Sequence, residues 1–363
     1  MHHSNVKSPR LQSLDILRGL TVAGMILVNN GYGESFVTLQ HSKWNGMTPC
    51  DLVFPFFLFI MGISCYLSLS KSQFTPSAPV LRKIVKRTVL LFVIGLFINW
   101  FHNALKGDPG LDHLRLWAVM QRIALCYLFV SLFALYINHR LLIPTIIVLL
   151  GVYTFLILVG NGYAEDASTN IVAQADLRLF GYDHLYHKSP VDPEGLLGTI
   201  PSIAHVLIGF FCGMLFKKNP TAGDKTQSLF VAGTVCIIAG YLLTFALPLN
   251  KRIWSPSYVL VTCGLATLLL ALFIWLESRD TTRRFIMNSQ FKVFGVNALA
   301  LYVFSELLSI LFSRFGINDA IYSVLHAVIP PLKWASVAYA LTFVLINYAL
   351  GYLLYRKKIF IKL

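Results

Sequence analysis

The sequence predicts an all-α fold: a polytopic membrane helical bundle of about ten transmembrane helices, with both termini cytoplasmic. Three observations carry that expectation. Of 363 residues, 56% are hydrophobic and only 13% charged, with a mean hydropathy of +0.67, whereas a soluble domain is nearer a quarter charged. The apolar residues gather in runs of about 20, the length a helix needs to cross roughly 30 Å of hydrocarbon. The Lys and Arg residues concentrate on one side of the resulting topology.

The runs fall at residues 14–30, 52–70, 88–101, 116–137, 141–159, 198–216, 228–248, 256–276, 291–312 and 333–355. The first follows a polar start without a small-residue cleavage site, so it reads as an uncleaved span after a cytoplasmic segment, residues 1–12. The third is short, and Lys86 and Arg87 at its start would snorkel to complete the crossing. Residues 318–329 end in Pro330-Pro331 and are too short to span, which suits a surface helix. The longest connection, residues 160–197, carries Tyr163, Phe180, Tyr182 and Tyr186, aromatics that argue against disorder. No inverted repeat of the transporter kind is visible, and residues 1–363 read as a single transmembrane domain.

An even number of spans puts both termini on one side. That side holds 19 Lys and Arg and the other nine, with Arg18 and Arg122 inside spans. Acidic residues divide the other way, three against ten, with Asp15, Asp51 and Glu306 in or at spans. The termini are therefore expected in the cytoplasm, and the net charge of +14 reflects membrane topology rather than nucleic acid. The six cysteines lie in or at the mouths of apolar runs without metal-type spacing. They read as small core residues.

The stretch from Asn30 to Gly62 joins the first two runs and carries His41, Asn30, Asn45 and Asp51 at one membrane face. His41 is suited to accept a proton near neutrality. Asp51 stands where it would either orient that imidazole or cap the second helix through free backbone N–H groups. Asn30 and Asn45 offer N–H donors for a developing oxyanion, although Asn45-Gly46 is also a turn signal. On the same outer side lie Asp183, His184, His187, Asp192 and Glu194; no third ligand at zinc-like spacing accompanies the two histidines, so no metal is expected.

Asp15 and Arg18, three apart in SLDILRG, share a helix face as a structural ion pair or, with Arg122, line an entrance for an anion whose oxygens suit the guanidinium fork. Arg82, Lys83, Lys86 and Arg87 lie on that cytoplasmic side as topology signal or as further anion contacts. Glu306 and Asn297 occur in the ninth run, where a carboxylate is a functional candidate by default. Glycine-rich nucleotide loops, GxSxG and HExxH are absent.

SLDILRG, HSKWNGMTPCDLVFPFFLFIMG, GYDHLYHKSPVDPEGLLGTIPSI and the ending LLYRKKIF occur in that order from about Leu11 onward. Together they resemble the heparan-α-glucosaminide N-acetyltransferase family, its bacterial NagX-like members and the wider transmembrane acyltransferase group. The resemblance implies transfer of acetyl from cytoplasmic acetyl-CoA, a co-substrate, to the amino group of a glucosamine or glucosamine-ended saccharide across the membrane. It implies a homodimer in the bacterial inner membrane, with His41 on the periplasmic side. The family's active histidine falls on His41, its associated residues on Asn30 and Asp51, and its CoA-side positions on Arg18 and Arg122, with Asp15 beside them. Asn45, Trp44, Asp183, His184, Glu194, Asn297 and Glu306 become candidates for the sugar. Two other readings stand beside this one: an O-acyltransferase of cell-envelope glycans, and a transporter of amino sugars or organic anions.

Overall fold

The computed structural model describes residues 12–279 and 290–361. Lys7, Arg283 and Arg284, three of the basic residues used to orient the chain, lie outside that range. The long helices are α1 (Gln12–Asn29), α2 (Val53–Leu69), α3 (Ala78–Lys106), α4 (Val119–Tyr136), α5 (Leu142–Val159), α7 (Thr199–Lys218), α8 (Ala222–Leu243), α9 (Pro256–Ser278) and α13 (Leu332–Arg356). Shorter ones are α6 (Ile171–Phe180) in the long connection, α10 (Phe291–Val296), α11 (Ala298–Arg314) and α12 (Ile317–Val328).

Eight of these helices, α2–α5, α7–α9 and α13, are long and apolar enough to cross a membrane, and the pair α11 and α12, bent by 86°, makes nine if taken as one span. The protein is an integral membrane helical bundle. Its centre is α1, α2, α4, α7 and α9, where Leu17, Leu58, Phe59, Ala124, Phe210 and Val259 are fully buried. At the periphery, α3, α5, α8 and α13 turn Val93, Ile147, Val235 and Leu345 outward, the apolar rind that lipid solvates.

Three elements differ from expectation. The third span is no short run: α3 has 29 residues, about 43 Å at 1.5 Å per residue. Arg82, Lys83, Lys86 and Arg87 lower local hydropathy without breaking the helix. An extended Ser77 with Pro79 in the first turn starts it, and Gly107 at φ 99° ends it. The ninth run is divided at Asn297, whose side chain leaves the helix to donate to Ile359 O (3.0 Å) and accept from Ile361 N (2.8 Å). That break binds the C-terminal tail and leaves Asn297 at the junction, with Glu306 inside α11. The long connection is not a plain loop, since it contains α6. The surface helix stands as expected: α12 has no fully buried residue and turns away after Gly316 at φ 68°.

Two backbone crossings fix what matters for the site. A Cβ on Gly62 would lie 2.1 Å from Val206 O, and one on Gly209 2.2 Å from Phe59 O, so α2 and α7 touch backbone to backbone. Gly19 and Gly295 do the same for α1 and α10, at 1.7 Å from Phe291 O and 1.9 Å from Asp15 O. In lipid, where apolar burial gains little, such close approach is what holds helices together.

Contacts between loops define two faces. Lys292 reaches Gln12 and the tail reaches Asn297 at one, called the basic face. At the other, the loop face, Trp44 donates to Tyr163 O and Gly46 to Leu249 O.

Candidate active site

Between α1 and α2 the chain runs through two 3₁₀ turns, residues 37–39 and 49–52. Thr48 and Asp51 form a reciprocal capping box at the second. One oxygen of the fully buried Asp51 carboxylate accepts from Thr48 N (3.0 Å), Ser42 N (3.1 Å) and the Thr48 hydroxyl (3.1 Å). The other lies 2.7 Å from His41 Nδ1. Capping and orienting are thus the work of two different oxygens on one side chain. Tyr258 from α9 donates to Asp51 O at 2.5 Å and locks the turn to the bundle.

The imidazole is the half-exposed member, 45% accessible against 0% for Asp51. With Asn29, Ser35, Gln40 and Ser336 it lines a cavity of about 260 Å³ on the loop face. Glu306 is one contact behind that wall, accepting from Asn29 Nδ2 at 3.4 Å. Cys50 Sγ lies 3.1 Å from His41 Nδ1.

Sequence reasoning missed Lys251. Its Nζ lies 2.9 Å from His41 Nδ1, 3.4 Å from Nε2 and 3.4 Å from Asp51 Oδ1. Nothing local could have revealed it, because it comes from the turn before α9, 210 residues away. The turn is stitched to the His41 loop by Arg252 Nε donating to Lys43 O (2.8 Å) and Asn250 Nδ2 donating to Asn45 Oδ1 (3.1 Å).

Other candidates lie elsewhere. Asn30 Nδ2 donates to Ile26 O at 2.8 Å, one turn back in α1, so one N–H of the amide expected to meet an oxyanion is held by backbone. Trp44 is buried with its N–H on Tyr163 O, which leaves its ring in the core rather than on a sugar. His184 Nδ1 donates to Leu114 O (2.7 Å), and Asp183 faces His113 at 3.7 Å in the open.

A second omission is Arg115. It grips Asp192 through Nε and Nη2 (3.2 and 2.6 Å) and Glu194 through Nη2 (2.8 Å), with its guanidinium 4.7 Å over the Tyr186 ring. Asp192 and Glu194, the latter a candidate for the sugar, are here neutralised by Arg115. Burial alone would raise the Glu194 carboxyl, but Arg115, Arg122 and Lys251 outweigh it and hold it below the usual range. The same carboxylates raise Arg115 despite its burial.

Arg18 and Arg122 do not share a mouth. Arg18 is tied to Asp15 (2.9 Å), Gly295 O (3.3 Å) and Ser64 (3.0 Å) toward the basic face. Arg122 lies one turn into α4 from the loop face, fully buried, donating to Gly195 O (2.9 Å) with its guanidinium 5.1 Å over Trp254. The reason is topological: α4 begins on the loop face where α1 begins on the basic one.

Arg18 instead shares a 470 Å³ cavity with Ser64, Lys83, Lys86 and Arg87. This cavity runs from the basic face inward to Phe57 and Ile123. Phe57 is six residues beyond Asp51, roughly 10 Å along the helix.

Residues 10–243 match the family described as heparan-alpha-glucosaminide N-acetyltransferase, catalytic. The chain belongs to this family. The human protein named heparan-alpha-glucosaminide N-acetyltransferase is 30% identical over 423 aligned positions, covering 98% of this chain and 60% of its own length. The mouse protein of that name is 28% identical over 421 positions with the same coverages. The chain spans 60% of the length of these curated relatives. The family match includes α1, the His41 loop and α2 through α8, so His41, Asp51, Arg18 and Lys83 lie inside it, while Lys251 and the Gly295 side of the basic cavity lie outside.

Proposed function

We propose that the protein is a membrane acetyltransferase. It takes acetyl from acetyl-CoA bound at the basic face and gives it to the amino group of a glucosamine, or of a saccharide ending in one, at the loop face. The observation that carries this reading is a pair of cavities: one lined by Arg18, Lys83, Lys86 and Arg87 and reaching Phe57, six residues beyond Asp51, and a smaller one lined by His41. Lysine and arginine suit the phosphates of CoA, and the apolar Phe57 and Ile123 of the same cavity suit its uncharged arm.

In this reading His41 removes a proton from the sugar ammonium, with Asp51 fixing the ring through Nδ1 and leaving Nε2 toward the acceptor. The freed amine attacks the thioester carbon directly in a ternary complex, which needs no second nucleophile. The basic face is then cytoplasmic, in accord with the distribution of Lys and Arg, and the loop face is periplasmic in a bacterial inner membrane. The family relationship suggests a homodimer.

The test uses proteoliposomes of one known orientation. Acetyl-CoA supplied at the basic face should acetylate glucosamine supplied at the loop face, with release of free CoA and without net movement of sugar. Acetyl-CoA accepted only at the loop face, or sugar flux without CoA release, would remove this reading in favour of reversed sidedness or transport.

A further inference from the structure

Acyl transfer needs a hydrogen-bond donor for the carbonyl oxygen as well as a base for the amine. The amides that the sequence offered for this are engaged elsewhere in the fold: Asn30 gives one N–H to Ile26 O, and Asn45 is tied through its Oδ1 to Asn250 Nδ2. The Thr48 hydroxyl donates to Gln40 O at 2.7 Å or to Asp51. One charged donor remains beside His41.

We propose that Lys251 is a catalytic residue whose ammonium binds the carbonyl oxygen of the acetyl group and the oxyanion that forms there. The proposal rests on the acyl-transfer reading above and adds a residue to it. The amine nitrogen and the carbonyl oxygen are two bonds apart in the tetrahedral adduct. A base and a donor 3.4 Å apart, the separation of His41 Nε2 and Lys251 Nζ, can therefore touch both ends at once.

The lysine is also held in readiness. Its side chain is only 12% exposed and its charge is balanced by Asp51 at 3.4 Å. Its backbone sits in a tight turn: Trp254 N donates to Lys251 O (3.0 Å), and Ser255 N to Asn250 O (2.9 Å). The fully buried Trp254 closes the turn in the left-handed region at φ 56°. Donors fixed in advance cost no reorganisation when charge develops. The charged groups around the pair are Asp51 from the turn before α2, Arg252 from the same loop as Lys251, and Glu194 from the long connection.

The steps balance as follows. His41 takes one proton from the sugar ammonium. The amine lone pair forms the C–N bond, and the carbonyl electron pair moves onto oxygen against the Lys251 ammonium. Collapse restores C=O and breaks the C–S bond. The proton lost from nitrogen goes to the departing thiolate, giving the amide and free CoA, and His41 returns its own proton to water on the loop face.

The probe is S-acetonyl-CoA, whose ketone cannot be transferred, carrying ¹³C at the carbonyl. On the wild-type protein its carbonyl stretch should move to lower frequency than in buffer. Lys251→Met should abolish that displacement while the analogue still binds, and should lower kcat by about 10²–10³-fold with both KM values within threefold. Lys251→Arg should restore part of each. An undisplaced carbonyl on wild-type protein that binds the analogue and transfers labelled acetyl would overturn the role of the lysine alone. So would a Lys251→Met variant with the wild-type spectrum. Absence of both analogue binding and transfer would overturn the acyltransferase reading and this proposal with it.

Discussion

At the scale of single residues, one buried carboxylate connects backbone, base and lysine. Asp51 serves the N-terminal turn of α2 through one oxygen and His41 through the other. Its substitutions should therefore separate. Asp51→Asn keeps an acceptor for the Thr48 and Ser42 N–H groups, so thermal stability in detergent should change little, while kcat should fall about 10–100-fold as the negative charge beside His41 and Lys251 is lost. A parallel loss of folding and activity would reduce Asp51 to a cap. His41→Ala should lower kcat/KM by about 10³-fold and leave acetyl-CoA affinity, measured by calorimetry, within twofold; retained turnover would take His41 out of the reaction. Away from the site, Asp176 is buried with one oxygen on Leu196 N. Burial first, then Asp192, push its carboxyl up to about 7 against the pull of Leu196 N–H and Arg122. The folded protein keeps that proton where the unfolded chain has released it. Its stabilising contribution is thus whole below about pH 4 and lost as pH rises through about 7. Asp176→Asn should melt near the wild type at pH 4 and increasingly above it toward pH 7, then level off. A pH-independent difference would contradict the assignment.

At the scale of elements, the site is positioned by where helices touch and where they break. The α2–α7 crossing leaves no room for a methyl at Gly62. Gly62→Ala should cost about 1–3 kcal/mol, read as a lowered melting temperature in detergent. Gly151→Ala on α5, with nothing within 4 Å, should not lower it. Equal effects would mean that the crossing is not what sets stability. Hydropathy located α2, α4, α7 and α9 well, because uniformly apolar helices read the same in any context. It shortened α3, since basic residues that continue a helix past the hydrocarbon look like its end. It joined α10 to α11, since the interruption is made by the C-terminal tail bonding to Asn297, a partner some 60 residues away.

At the scale of the whole molecule, the two cavities lie toward opposite faces, and the basic one reaches Phe57 in the second turn of α2. The basic opening should behave electrostatically. Lys83→Gln combined with Lys86→Gln should weaken acetyl-CoA binding about tenfold or more at low salt, and flatten its dependence on ionic strength, without altering the acceptor KM. An unchanged salt dependence would place the CoA phosphates elsewhere. On the loop face, Arg115 bridging Asp192 and Glu194 joins the α3–α4 connection to the long connection before α7. Two segments that no local reading would associate are thereby tied together.

Sequence alone determined the membrane class and most of the spans, and brought His41 and Asp51 together on one loop as a base with either an orienter or a cap. All of these are short-range: hydropathy is a property of one helix, and His41 and Asp51 are ten residues apart on one loop whose ends are pinned by neighbouring helices. Tertiary structure decided that Lys251 stands beside them, that Asn30 turns back on its own helix, that Arg122 belongs to the loop face, and that Arg115 neutralises the acidic connection. These depend on which loops meet when the helices pack, and backbone crossings such as Gly62 on Gly209 set that with no periodicity of their own.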